Sequence, residues 1–387
     1  MKKRILSVLL ALTLIFVSAC GGKGTEPEGT GDSANGNTSV TVRVGYANGL
    51  CHAPLHIAYE NGFFAEEGLN VAMIQVDASH IQEIVGADQI DAGFGLIGKF
   101  LQPIENGLSI KLTAGMHTGC IKIVAPKDSG ITSVADLKGK RIGVTGLAGS
   151  ETIIAKRALA DAGISFDMEN PEVEFLVYGS ADLGQALENG AIDVIAAADP
   201  NVSQFAKQYD LVTILDTSSD EAYKDEYCCA SFVSTKFAEE HPEEAAAFTR
   251  AVLKASAWVE ANPKEAAQIQ LDQNYVAGEL EFNSSLLESY NYIPSVQGGY
   301  DAVLTSVEQL TDIGLLKEGT DAKTFADNAY VFFEGVPDTY TIDEVQEQTG
   351  DTQAAGDQTV SNETIASDVL FVDDCCSGKS VQADAAN

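Results

Sequence analysis

Cations are scarce in this chain of 387 residues: 23 lysines and arginines stand against 57 acidic residues, and no stretch gathers them into a patch. That excludes nucleic-acid binding, which needs clustered cations facing phosphate. The formal charge of −34 favours solubility but names no ligand. GxSxG, Walker A and HExxH are also missing, so hydrolase and ATPase chemistry have no motif to rest on. Tryptophan occurs once, as Trp258, beside the apolar stripe of a predicted helix, where packing is the expected role. The seven cysteines match no common zinc or iron–sulfur spacing.

The N-terminus opens on the basic MKKR, continues with the apolar ILSVLLALTLIFV and closes on VSAC at Cys20. This run is too short for a spanning helix and leads into a Gly/Ser/Glu-rich stretch, so residues 1–20 read as a secretory signal. Its last residues look like a bacterial lipobox, which implies lipidation of Cys20 and a chain held at the extracytoplasmic face of the cytoplasmic membrane. Residues 21–39 carry no aliphatic or aromatic anchor and read as a flexible tether. Residues 336–387 read as an acidic, low-complexity tail, with ASDVLFVDDCC as a candidate strand inside it. Setting Cys20 aside leaves six cysteines, and an even number in an exported protein invites disulfides.

Between these ends the chain alternates predicted strands and helices. VTVRVGYA, LNVAMIQV, IDAGFG, SIKLTAG, IKIVA, RIGV and EVEFLVY read as strands. Helices are predicted from Pro54 to a stop at Gly62, over HIQEIVGAD, and near Thr152–Ala162. Strands separated by single helices predict parallel α/β units. From Lys236 to about Gly335 the chain turns helical, with Phe248, Val252, Leu253, Ala257 and Val259 as one apolar stripe. HIQEIVGADQIDAGFG and DLGQALENGAIDVIAAAD echo each other through Ile90-Asp91 and Ile192-Asp193, which suggests two α/β lobes. Asp91 and Asp193 are expected to cap backbone at strand entries. Loops beyond the strand ends would then face each other across a cleft.

HAPLHIAYENGFFAEEGLNV, DLKGKRIGV followed by GLAGSE, LENGAIDV, and AWVEANPKEAAQI together resemble the SsuA/THI5-like (NMT1-like) substrate-binding proteins of ABC importers, over about residues 40–335. The resemblance implies an α/β, type II periplasmic-binding-protein bilobe with two hinge crossings. One lobe would comprise 40–116 plus 232–335 and the other 117–231. It also implies a non-enzymatic, monomeric receptor without a cofactor, whose partners are a small-molecule ligand and a permease with its ATPase subunit. A ligand-presenting sensor remains the alternative in the signalling class.

By that mapping five loops face the cleft. They contribute Leu50, Cys51 and His52; Gly95 and Leu96; His117, Thr118 and Cys120; Gly149, Ser150 and Glu151; and Asp199 with Asn201. Tyr227 and Cys228 join them from the second crossing. In TGLAGSET, glycines allow close backbone approach and the helix start offers free N–H groups; Ser150 can cap that helix or donate to a ligand. Asp199 and Asn201 can hold a polar group or close an Asx turn. Lys99 is the sole basic residue in these loops, and Glu151 sits at the proposed anion site. This departs from a simple inorganic-anion receptor. It leaves room for a sulfonate held by backbone alone, a zwitterion, or a pyrimidine-like heterocycle stacked on Phe94, Tyr227 or Phe232.

Cys51, His52, His117, Cys120, Cys228 and Cys229 form the sharper alternative, a set of soft ligands suited to a thiophilic metal, a metal cofactor or a haem-like group. Against it stand a Cys51–Cys120 disulfide, a vicinal Cys228–Cys229 disulfide, or plain buried thiols. His56 and His80 are expected at the surface or in packing. CCASF is similar to part of the cysteine-rich iron motif of the eukaryotic THI5 enzymes, but the fuller run and a matching pyridoxal-carrying lysine are lacking.

Overall fold

The computed structural model describes residues 40–345. The predicted signal with Cys20, the tether, the candidate strand in the tail, and Cys375 and Cys376 lie outside the described residues. Among the described residues, ten strands form two five-stranded sheets. The first holds β1 (Thr41–Tyr46), β2 (Asn70–Gln75), β3 (Ala92–Leu96) and β4 (Ile110–Thr118). The second holds β5 (Ile121–Pro126), β6 (Arg141–Val144), β7 (Glu174–Val177), β8 (Val194–Ala198) and β9 (Leu211–Asp216). The last strand, β10 (Tyr227–Ser234), returns to the first sheet.

The strand orders are β2-β1-β3-β10-β4 and β7-β6-β8-β5-β9. Within each sheet the first three strands pair in parallel, as predicted. The fourth runs antiparallel to both neighbours: β10 against β3 and β4, β5 against β8 and β9. The parallel units are as expected, and the antiparallel fourth strand has a simple reason. β5 and β10 are the strands that arrive from the other sheet, and they enter from the edge where the parallel strands end.

The Ile-Asp echo is a real structural repeat. Asp91 accepts hydrogen bonds from the Arg43 backbone N–H at 2.8 Å and its guanidinium Nε at 2.9 Å. Asp193 does the same for Arg141, at 2.8 and 3.0 Å. The preceding isoleucines press on glycines of the neighbouring strand: a Cβ on Gly45 would lie 2.5 Å from Ile90, and one on Gly143 would lie 2.3 Å from Ile192. Each lobe therefore locks its first and third parallel strands with one carboxylate and one close contact.

Pro54 sits in the first turn of the helix Ala53–Glu60, and Gly62 takes the left-handed conformation at φ +82° beyond it. A short 3-10 turn, Leu50–His52, precedes that helix. The 20-residue helix Pro242–Ala261 buries the whole predicted stripe against the first sheet. Trp258 packs part-buried against the same core. The chain stays packed beyond residue 335: Asp338 accepts from Ser295 Oγ and the Gln297 N–H, and Val345 is fully buried.

Two crossings join the sheets, one through Gly119 and Cys120, the other through 217–226. They touch. Gly119 has φ +49°, and a Cβ there would fall 2.4 Å from Ser218 Cα. The Thr217 hydroxyl accepts from the N–H groups of Cys120 (3.1 Å) and Ile121 (3.0 Å), binding one crossing to the other.

Hydrogen bonding to Arg141 holds the Asp193 carboxyl below its ordinary value near 3.8. A depressed folded-state value contributes stability above the unfolded value, and that contribution is lost as the pH falls through the folded one. Asp193→Ala should cost about 1–3 kcal/mol at neutral pH, since it also strands the Arg141 N–H. In denaturant titrations the wild-type advantage should shrink below pH 3.8; an advantage independent of pH would contradict this role.

Candidate functional site

The C-terminal edges of β3, β4 and β8 and the N-terminal ends of β5 and β10 converge where the crossings run. A small cavity of about 50 Å³ lies between the lobes, below the range of drug-sized ligand sites. Leu96, Ile97 and Gly98 line it from one side, and Ser150, Ile153 and Arg157 from the other. Gly119, Thr217, Tyr227 and Cys228 supply the hinge side. The lobes are in contact at the rim: Gly98 stands so close to Ile153 that a Cβ would lie 3.6 Å from it.

The polar chemistry of the wall is largely satisfied from within. Arg157 donates two hydrogen bonds to the Glu226 carboxylate, at 2.8 and 2.9 Å, and stands 5.0 Å over the Tyr223 ring. Gln309 Nε2, from the helix Val296–Asp312, donates to the same carboxylate at 2.9 Å. At the start of the helix Ser150–Asp161, the buried Glu151 carboxylate accepts from the Thr145 N–H at 3.1 Å and from its hydroxyl. The helix N-terminus is thus already faced by an anion. Gly149 is the N-cap, and Ser150 Oγ is buried without a partner.

Behind the hinge wall four sulfurs and an imidazole gather. Cys120 Sγ and Cys228 Sγ are 3.2 Å apart. Cys51, His117 and Cys229 place ligand atoms within 4.8 Å of one another, as do Cys120, Cys228 and Cys229. All four cysteines are free thiols. Hydrogen bonds from Cys120 and then Cys229 hold Cys228 below the ordinary thiol range. The bond to Cys228 pushes Cys120 up, to about 11, and burial raises Cys229 further. Around them His117 stacks between Phe94 (5.9 Å) and Tyr290 (5.6 Å).

The family model described as NMT1/THI5 like matches residues 50–266. The chain belongs to that family. It is 29% identical over 235 residues to a 4-amino-5-hydroxymethyl-2-methylpyrimidine phosphate synthase of Aspergillus parasiticus, covering 59% of this chain and 68% of that protein. It is 27% identical over 316 residues to a formylaminopyrimidine-binding protein of Halalkalibacterium halodurans, covering 77% and 89%. The periplasmic aliphatic sulphonate binding protein SsuA from Escherichia coli superposes with a TM-score of 0.63 at 14% identity, covering 78% and 94%. The fold is accordingly the type II periplasmic-binding-protein bilobe.

Of the residues singled out in the sequence of this NMT1/THI5-like protein, Leu96, Ser150, Tyr227 and Cys228 line the cavity. Others stand behind it. Leu50, Cys51 and His52 are buried in their 3-10 turn, and burial pushes His52 down in pKa. A Cβ on Gly95 would strike the Phe100 ring at 2.8 Å, which makes that glycine a packing requirement. Thr118 donates to the Tyr290 carbonyl at 3.3 Å. Asp199 is ion-paired with Lys122 at 3.1 Å, and Asn201 donates to Ser180 at 2.5 Å. Phe94 and Phe232 are fully buried in the core. His56 is buried, stacked 3.9 Å from Tyr275, so its role is packing; His80 is exposed.

Sequence reasoning missed Arg157, Tyr223, Glu226 and Gln309 on the cavity wall, and Tyr290 and Tyr292 beside His117. An Arg157–Glu226 pair 69 residues apart leaves no local signal. In the reduced, metal-free chain, mass mapping of alkylation at neutral pH should find Cys228 modified about tenfold or more faster than Cys120 and Cys229, because thiolate character and exposure set the rate. Equal rates at the three sites would contradict the arrangement.

Proposed function

We propose that this chain is the extracytoplasmic receptor of an ABC importer and binds a small, neutral or weakly basic nitrogen heteroaromatic, pyrimidine-like in shape, between its lobes. The observation that carries the ligand class is the electrostatics of the cavity wall. Arg157 is neutralised by Glu226, and the helix start at Ser150 already faces Glu151. A sulfonate or nitrate would meet no uncommitted cation there. A flat heterocycle would meet the Tyr227 face, the Ile97 and Ile153 side chains, and the unpartnered Ser150 Oγ as one hydrogen-bond partner.

The formylaminopyrimidine-binding relative, most of whose length is matched, fits this reading. The sulphonate-binding structure supports the fold and carries no ligand to this chain. The lipid on Cys20 and the 21–39 tether would keep the receptor beside its permease, with ATP hydrolysed by a separate cytoplasmic subunit. Solute bridging the Leu96–Gly98 wall and the Ser150–Arg157 helix would favour the closed form, since it gains contacts to both lobes only there.

Calorimetry with a panel of aminopyrimidines and short alkanesulfonates tests the ligand class. Wild type should bind a member of the first set at least about tenfold tighter than any of the second, about 1.4 kcal/mol. Glu226→Gln, which frees the Arg157 charge, should narrow that gap. A wild-type preference for sulfonates, or saturation by no heteroaromatic, would overturn the reading.

A further inference from the structure

We propose that Cys51, His117, Cys120, Cys228 and Cys229 form a buried site for a soft, thiophilic cation, with the Cys229 sulfur shared between its two halves. Each half supplies three ligand atoms within 4.8 Å of one another: Cys51, His117 and Cys229 in one, Cys120, Cys228 and Cys229 in the other. Thiolates bound to one zinc or copper ion at about 2.3 Å stand roughly 4 Å apart, so the ligands need only small side-chain adjustments to close on a metal.

The imidazole is prepared for the same task. His117 Nδ1 lies 2.8 Å from the Thr118 carbonyl oxygen, which can only accept, so Nδ1 carries the proton. Nε2 is left as a bare acceptor, buried and without a partner. A ligating histidine whose other nitrogen donates to a carbonyl is the arrangement that fixes tautomer and ring orientation at metal sites. An unpaired acceptor inside a protein is costly, and a cation would satisfy it.

The backbone explains how so many sulfurs meet. Cys229 stands opposite His117 in the β10–β4 ladder. Adjacent strand residues ordinarily point to opposite faces, but the ladder shifts register on both sides of Cys229, and such bulges re-aim a side chain. Cys228 and Cys229 therefore both reach Cys120 at the end of the first crossing. Cys51 comes from the 3-10 turn after β1.

The donor set selects the ion. Three thiolates, or two with an imidazole, are soft ligands that suit copper(I) or zinc and offer nothing to magnesium or calcium. Three-ligand halves joined by one sulfur match copper(I), which accepts low coordination; zinc would draw four of the five groups to one centre. Of the five residues, Cys228 lines the interlobe cavity. The cation would thus sit behind the cavity wall, meeting the organic solute's site through Cys228.

The test uses the mature chain, reduced and free of oxygen, metal and solute. Titration with cobalt(II) as the probe of a zinc-type site should raise intense thiolate-to-metal charge-transfer bands, and competition with a chromophoric chelator should show tight copper(I) binding. Cys229→Ser should weaken both by about 100-fold or more and Cys51→Ser by about 10-fold or more, since loss of a partner that only supports a metal ligand already costs about 10–100-fold. Circular dichroism confirms that each variant is folded, and Cys228→Ser, at the half-buried position, repeats the test should Cys229→Ser not fold. Absence of thiolate-to-metal bands in the folded, reduced wild type overturns the site. So do bands and affinities unchanged in the folded cysteine variants.

Discussion

No side chain fits at Gly119, where the two crossings touch, and much of the molecule follows from that contact. Gly119 meets the Ser218 backbone directly, and the Thr217 hydroxyl satisfies two N–H groups of the facing crossing. Because the crossings run side by side, β5 and β10 enter their sheets antiparallel to the strands they meet. The same proximity brings Cys120 beside Cys228 and makes the crossings one wall of the interlobe cavity. Hinge, thiol cluster and interlobe cavity are three consequences of one close approach.

The far edges of the sheets are held by a different device, used twice. Arg43 with Asp91 and Arg141 with Asp193 close each lobe where its parallel strands begin, leaving the opposite edges free to carry loops. Rigid lobes with short contacts at the hinge suit a receptor whose motion is closure. In the wall they present, charges answer one another, Arg157 to Glu226 and the Ser150 helix start to Glu151; on the reading proposed above, shape, aromatic faces and one free hydroxyl choose the solute.

The fold was legible in the sequence wherever the signal was local. The two Ile-Asp units announced the repeat, and the period of the helical third showed the apolar face that Phe248 to Val259 buries. The site was legible only in part, for physical reasons. Leu96, Ser150, Tyr227 and Cys228 sit at element ends that topology carries to the cleft. Cys51, His52 and Asp199 belong to loops that reach the same region but turn inward, a difference of side-chain direction that spacing does not encode. Arg157, Glu226 and Gln309 meet from three distant segments, so the scarcity of cations in the cleft loops, Lys99 apart, was visible while the neutralised arginine behind it was not. Tyr290 and Tyr292 carry no local signal; packing alone places both rings against His117.

Native mass spectrometry of the freshly purified chain reads the solute itself, because a closed interlobe cavity retains it through gentle isolation. The expected result is a one-to-one adduct whose released mass and fragments belong to a small, uncharged or weakly basic nitrogen heteroaromatic. A retained sulfonate, nitrate or other anion would contradict it.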